Sequence, residues 1–183
     1  PAIPLRPFAS RQRPRHPTAT QNKSWPITLT NSVTLTEPIT LSSNNQYFII
    51  GDDGIIFDGD EHTITIENCV GYSGLLKIEE YSKSIFRNII LTTSGSSKLA
   101  NEAGWIVQSE SYQKSSNNNL ISNCTVKADI CQDKDYVNAG ILGSQSLIND
   151  NTNSDFTNYN LKIENCIYDG NIGTNDSNNI IAD

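Results

Sequence analysis

The sequence predicts an all-β chain, a solenoid of stacked parallel strands over residues 27–183 with an extended arm over residues 1–26. Three observations carry that expectation. Short apolar runs alternate with polar residues from Trp25 onward, two small motifs recur in strict alternation, and the segment from Pro1 to Pro26 differs in composition from the rest.

The strands are read from their period. Ile27-Thr28-Leu29-Thr30, Val33-Thr34-Leu35-Thr36 and Ile39-Thr40-Leu41 alternate apolar and polar residues and are rich in β-branched side chains. A period of two places alternate side chains on opposite faces, and β-branched residues suit a pleated surface. No stretch long enough for a stable helix carries a helical stripe, and polar segments at 115–119, 149–160 and 173–179 read as loops. The 183 residues suffice for one domain with a core, or one domain and a tail. No apolar run approaches the roughly 18 residues of a membrane-spanning helix, so membrane insertion is not expected.

The first repeated unit is apolar-x-Asn-apolar. It recurs as Ile66-Glu67-Asn68-Cys69, Phe86-Arg87-Asn88-Ile89, Ile121-Ser122-Asn123-Cys124 and Ile163-Glu164-Asn165-Cys166. The second is Gly followed by two apolar residues, at Gly54-Ile55-Ile56, Gly74-Leu75-Leu76, Gly104-Trp105-Ile106 and Gly140-Ile141-Leu142, with Asn179-Ile180-Ile181 as a degenerate copy. In both series the interval between copies is shortest at the start and grows toward the C-terminus. Fixed motifs separated by variable insertions suit stacked units with loops of different length. On this reading Ile66, Phe86, Ile121 and Ile163 form one inward ladder, and Cys69, Ile89, Cys124 and Cys166 form a second. Asn68, Asn88, Asn123 and Asn165 then stack at the corner, where amides can cap turn backbone, and Asn123 is expected to face inward.

The arm differs in charge. Residues 1–23 contain Arg6, Arg11, Arg13, Arg15 and Lys23 and no acid, a charge of +5, while the remainder carries −12. All the prolines but Pro38 lie between Pro1 and Pro26, which excludes a helix or an inner strand there. A basic extended arm on an acidic body is expected to dock on an acidic surface. Nucleic acid is not the expected partner, because no aromatic platform accompanies the arginines. The chain has no methionine and does not open on a secretory segment, so it is read as processed or as part of something longer.

The run Ile163-Glu164-Asn165-Cys166-Ile167-Tyr168-Asp169-Gly170-Asn171-Ile172 resembles the repeat of right-handed parallel β-helix proteins carrying GLUG-type motifs, as does Ala139-Gly140-Ile141-Leu142-Gly143-Ser144. The segment from Phe57 to Ile66 is similar to the entry coil of many β-helices, where an Asp-Gly turn precedes a Thr-Ile-rich strand. Ala103 and Ala139 depart from the pattern at its first Gly, and Ile89 stands where Cys is usual. The resemblance covers residues 27–183 and implies a right-handed parallel β-helix. Such repeats occur in bacterial surface adhesins. Asn-rich versions, with a strand like Gly104-Trp105-Ile106, occur in proteins of large DNA viruses. The 22 asparagines fit an AT-rich genome.

Candidate chemistry is sparse. Asp52, Asp53, Asp58, Asp60 and Glu61 form the densest acidic cluster, a weak calcium candidate or a source of paired carboxylates for glycan cleavage, against a reading as turn residues. No Cys-x-x-Cys pair suggests zinc. Cys69, Cys124 and Cys166 share a position that Ile89 also fills, so they are expected as buried free thiols, although a Cys124–Cys166 bridge is geometrically possible. Cys131 is expected to be a loop thiol. No Gly-x-Ser-x-Gly elbow or phosphate-binding Gly loop is present, and no cofactor is expected.

The expected function is therefore non-enzymatic. The chain reads as a structural protein of a large particle, a capsid, minor capsid or spike component of a large virus, located in the virion. Its arm would contact other structural proteins of the particle. One alternative is a bacterial cell-surface adhesin for a glycan or host receptor, using insertions 108–119 and 144–160. Another is a β-helix polysaccharide lyase or hydrolase using the 52–61 carboxylates.

Overall fold

The computed structural model describes residues 24–79, 81–112, 116–133, 136–144 and 161–173. Among them there is no helix, hence none able to cross a membrane, and every strand pairing is parallel. The all-β expectation holds.

The first strands are the three alternating segments seen in the sequence: β1 (Ile27–Leu29), β2 (Val33–Thr34) and β3 (Ile39–Leu41). They do not pair with one another, and each starts a separate sheet. The chain then returns to the first sheet with β4 (Phe48–Ile50), to the second with β5 (Ile56–Asp58) and to the third with β6 (Thr63–Glu67). A fourth, two-stranded sheet begins with β7 (Val70–Tyr72), before β8 (Leu76–Lys77), β9 (Ile85–Arg87), β10 (Ile90–Ser94) and β11 (Lys98–Leu99) repeat the circuit. The second and third sheets continue through β12 (Asn119–Ser122), β13 (Thr125–Lys127), β14 (Leu161–Glu164) and β15 (Ile167–Tyr168). Single bridges Leu76–Val107 and Val107–Leu142 extend the first sheet beyond β8.

In-register pairing puts like on like. In the second sheet Val33, Phe57, Phe86, Ile121 and Ile163 lie side by side on successive strands. In the third, Ile39, Ile64, Leu91, Val126 and Tyr168 do the same. The middle members of both columns are buried, and burying each such side chain contributes about 1.5–3 kcal/mol. The same core holds Tyr72 and Trp105, stacked at 6.3 Å, with the indole N–H donating to the Asp129 carbonyl at 3.1 Å. Trp25 meets Phe48 edge-on at the first coil.

Several sequence expectations need correction. Ile66 is not in the ladder of Phe86, Ile121 and Ile163. It belongs to the third sheet, opposite Leu41 and Thr93. Asn68 and Cys69 likewise turn a different corner, between β6 and β7, where the Lys98 N–H bonds to the Cys69 carbonyl. Gly54-Ile55-Ile56 is also displaced, since Ile56 pairs with Ile85 in the second sheet while the Gly74 and Gly104 units extend the first. Both misplacements come from the short first intervals, Asn68 to Asn88 and Gly54 to Gly74, which are less than a full coil. A coil here is longer, with Asp58 opposite Arg87, 29 residues on. Ile163 is on the expected column but 44% exposed, because it lies on the outermost described strand of its sheet.

Asn123, expected to face inward, is exposed instead. Asn68, Asn123 and Asn165 are exposed and Asn88 is half-buried, and all four have positive φ, between 52° and 54°. Asn tolerates this left-handed conformation better than other side chains, and the reversal turns the next residue into the core. Gly95 serves the same purpose beside Asn68: at φ 64° its missing Cβ leaves room for the Asn68 side-chain oxygen, which accepts from the Ser96 N–H at 3.3 Å. A β-branched residue at such a corner carries a left-handed penalty of about 1–2 kcal/mol. Asn123→Val should lower the urea midpoint accordingly, while Asn123→Gly should leave it nearly unchanged, as read by equilibrium unfolding.

Candidate functional site

The sequence-selected acids lie at two corners. Asp52 and Asp53 follow β4. The Asp52 carboxylate accepts the Asp53 N–H at 2.8 Å, and the Asp53 carboxylate accepts the Ser82 N–H of the next coil at 2.8 Å. Asp58 ends β5 and Asp60 follows it in the turn to β6. The four do not make one ligand set, and among the described residues no group of three or more His, Cys, Asp or Glu side chains could hold a metal ion. Turn geometry accounts for them: Asp60 and Glu61 both have positive φ, and the His62 N–H closes on the Gly59 carbonyl at 2.8 Å.

Asp58 is the most constrained of these acids. It is 7% exposed, and its two oxygens have three partners. Oδ2 accepts the Arg87 Nε–H at 2.7 Å, while Oδ1 accepts the Asp60 N–H at 2.9 Å and the Asn88 side-chain amide at 2.9 Å. Burial pushes its pKa up, but the Asp60, Asn88 and Arg87 hydrogen bonds together outweigh it and hold the carboxyl below its ordinary value of 3.8. The general acid of glycan cleavage needs the opposite shift. The role of Asp58 here is to fasten the β5–β6 corner to the β9–β10 corner.

That fastening is one link in a continuous corner stack. Leu35 N–H bonds to the Asp58 carbonyl, Gly59 N–H to Arg87, Asn88 N–H to Ser122 and Asn123 N–H to Glu164, at 2.9–3.2 Å. The Asn123 side chain reaches back to the Asn88 oxygen at 3.4 Å. After each corner the next residue enters the core, as Ile89, Cys124 and Cys166 in turn. The expected ladder of these three therefore forms, without Cys69.

All four cysteines are free thiols. The corner cysteines share one local pattern, in which the thiol donates to the carbonyl two residues back: Cys69 to Glu67 at 3.3 Å, Cys124 to Ser122 at 3.3 Å and Cys166 to Glu164 at 3.4 Å. Cys131, expected in a loop, is fully buried, with its N–H on the Asn138 side-chain oxygen at 3.2 Å.

The sequence alone does not single out Arg87 as a partner of Asp58, because motif alignment puts it in register with Glu67. The 108–119 insertion is also not a free contact loop over its described part. Gln108, Ser111, Tyr112, Ser116 and Asn119 are buried, with Gln108 donating to the Gly74 carbonyl and Asn119 accepting from the Ser84 N–H, both at 2.9 Å. Most of the 144–160 insertion, and Arg6, Arg11, Arg13, Arg15 and Lys23, lie outside the described residues. Comparison of the chain with family models, curated proteins and solved structures finds no match.

The Asp58 network has a pH signature. Its folded-state pKa is depressed, so its stabilising effect is fully present above the unfolded value near 3.8 and is lost as pH falls through the folded one. Asp58→Ala should destabilise the protein at pH 7 by about 0.5–1.5 kcal/mol, since it removes the shared acceptor of donors that are themselves half-buried or exposed. The difference from wild type should shrink below about pH 4, as measured by denaturant unfolding at pH 7 and pH 3.

Proposed function

We propose that this chain is a right-handed parallel β-helix acting as a non-enzymatic structural component of a large particle, a virus capsid or spike part, with the basic arm as its docking element. The observation that carries the reading is the circuit itself. Each return to a sheet is a parallel connection, and such connections are right-handed in nearly all proteins. Stacked circuits make a stiff body whose polar corner groups, Asp58 and Arg87 among them, are engaged with the neighbouring coil.

The charge division supports the docking role. An arm segment of +5 beside a body of −12 suits contact with an acidic neighbour of the same assembly. Such contacts are screened by salt, so arm binding should weaken as ionic strength rises.

The test is incorporation. Particles from the native source, bearing wild-type chain or the triple substitution Arg11→Ala, Arg13→Ala, Arg15→Ala, are washed at low ionic strength and the chain is quantified by mass spectrometry. The expected outcome is stoichiometric retention of wild type and clear loss of the variant. Equal retention of both would remove the arm from the docking role. Absence of wild type from any particle would overturn the structural reading and make a glycan array the next assay.

A further inference from the structure

The corner stack sets two thiols on neighbouring strands at one position. Ile121 pairs with Ile163 and Thr125 with Ile167, and between these pairs the Ile167 N–H bonds to the Cys124 carbonyl at 2.8 Å. Cys124 and Cys166 are therefore in register, one strand spacing of about 4.8 Å apart. Disulfides span Cα separations of about 4.4–6.8 Å, so the spacing suits one. The two thiols also point the same way, each toward a carbonyl of the preceding coil, Cys124 at Phe86 (3.9 Å) and Cys166 at Ile121 (3.8 Å). Access is unequal: Cys124 is fully buried, whereas Cys166 is half-buried. On the preceding coil the same slot holds Ile89, so packing alone does not call for sulfur.

We propose that Cys124 and Cys166 are a redox-closable pair, oxidised by a small-molecule disulfide that enters at Cys166. The Cys166 thiolate attacks one sulfur of that disulfide, forms a mixed disulfide and releases one small thiol. Cys124 then loses its proton and attacks the Cys166 sulfur, releasing the second small thiol. Two protein thiols are oxidised, one small disulfide is reduced to two thiols, and the protons pass to the leaving thiolates. The half-buried Cys166 is the thiol that a small disulfide reaches first, and the neighbouring Cys124 thiol lowers its pKa, while Cys166 and burial raise that of Cys124. The closed bridge ties β14 and β15 to β12 and β13, one coil to the next. Cys69 is excluded because it turns the β6–β7 corner, against Ser97 and the Leu41 carbonyl. Cys131 lies beside Asn138.

The test uses the whole folded chain in a series of glutathione disulfide to glutathione ratios, with remaining thiols alkylated and peptides mapped without reduction. The expected result is loss of two of the four alkylatable thiols and a peptide joining Cys124 to Cys166. Cys124→Val, which imitates the Ile89 slot, should instead stop at a glutathione adduct on Cys166. Cys131→Ser should still give the joined peptide. Four alkylatable thiols at the most oxidising ratio, or a persistent adduct on wild-type Cys166 without the joined peptide, would overturn the proposal. The wild-type measurement decides even if a variant fails to fold.

Discussion

The backbone hydrogen bonds that join each strand to its successor one coil later leave little freedom of register. Parallel pairing fixes residue against residue, and a slip by one would turn each apolar side chain outward. Val33, Phe57, Phe86, Ile121 and Ile163 therefore share a column although the chain between successive members lengthens at every step. The core follows from the pairing, and so do the corners. Once two strands are in register, the residues that end them must turn at the same height. Asp58, Arg87, Ser122 and Glu164 therefore lend their carbonyls to the N–H groups of the neighbouring coil's corner.

A corner of this kind has two physical demands. The backbone must reverse sharply, which Asn meets by taking positive φ, and the strand-end polar groups must find partners where no ladder continues. Asn88 and Asp58 answer both at once, and Arg87 supplies the countercharge from the strand end next to them. The same reasoning explains the corner cysteines. A side chain that has just entered the core faces carbonyls of its own strand and of the coil before, and a thiol can point at both, as Cys166 does with Glu164 and Ile121.

The alternating segments β1, β2 and β3 are legible in the sequence almost to the residue, because period and β-branching are local properties. The motif of Asn followed by a buried residue is legible for the same reason. Its place in the circuit is not. Asn68 and Asn88 have the same backbone conformation and the same inward successor, yet they turn different corners, since local sterics say nothing about which sheet comes next. The Asp58–Arg87 pair stays hidden for a related reason. It requires the coil length, which only the pairing of β5 with β9 reveals. The inward placing of Asn123 fails because a stacked amide does not need burial. Asn123 is exposed on the rim, while backbone bonds hold the stack together.

The unequal coil lengths have a further meaning. From Phe57 to Phe86 and from Phe86 to Ile121 the stack rises by one strand each time, although the second circuit is the longer. Its described additional residues fold back against the core, where Gln108, Ser111 and Tyr112 are buried and the Gln108 amide donates to the Gly74 carbonyl at 2.9 Å. Coil length and rise are thus independent in this architecture. Chain added within one coil is taken up at that level and leaves the register of the levels above and below in place, so a stack can lengthen one circuit by insertion without re-pairing its strands.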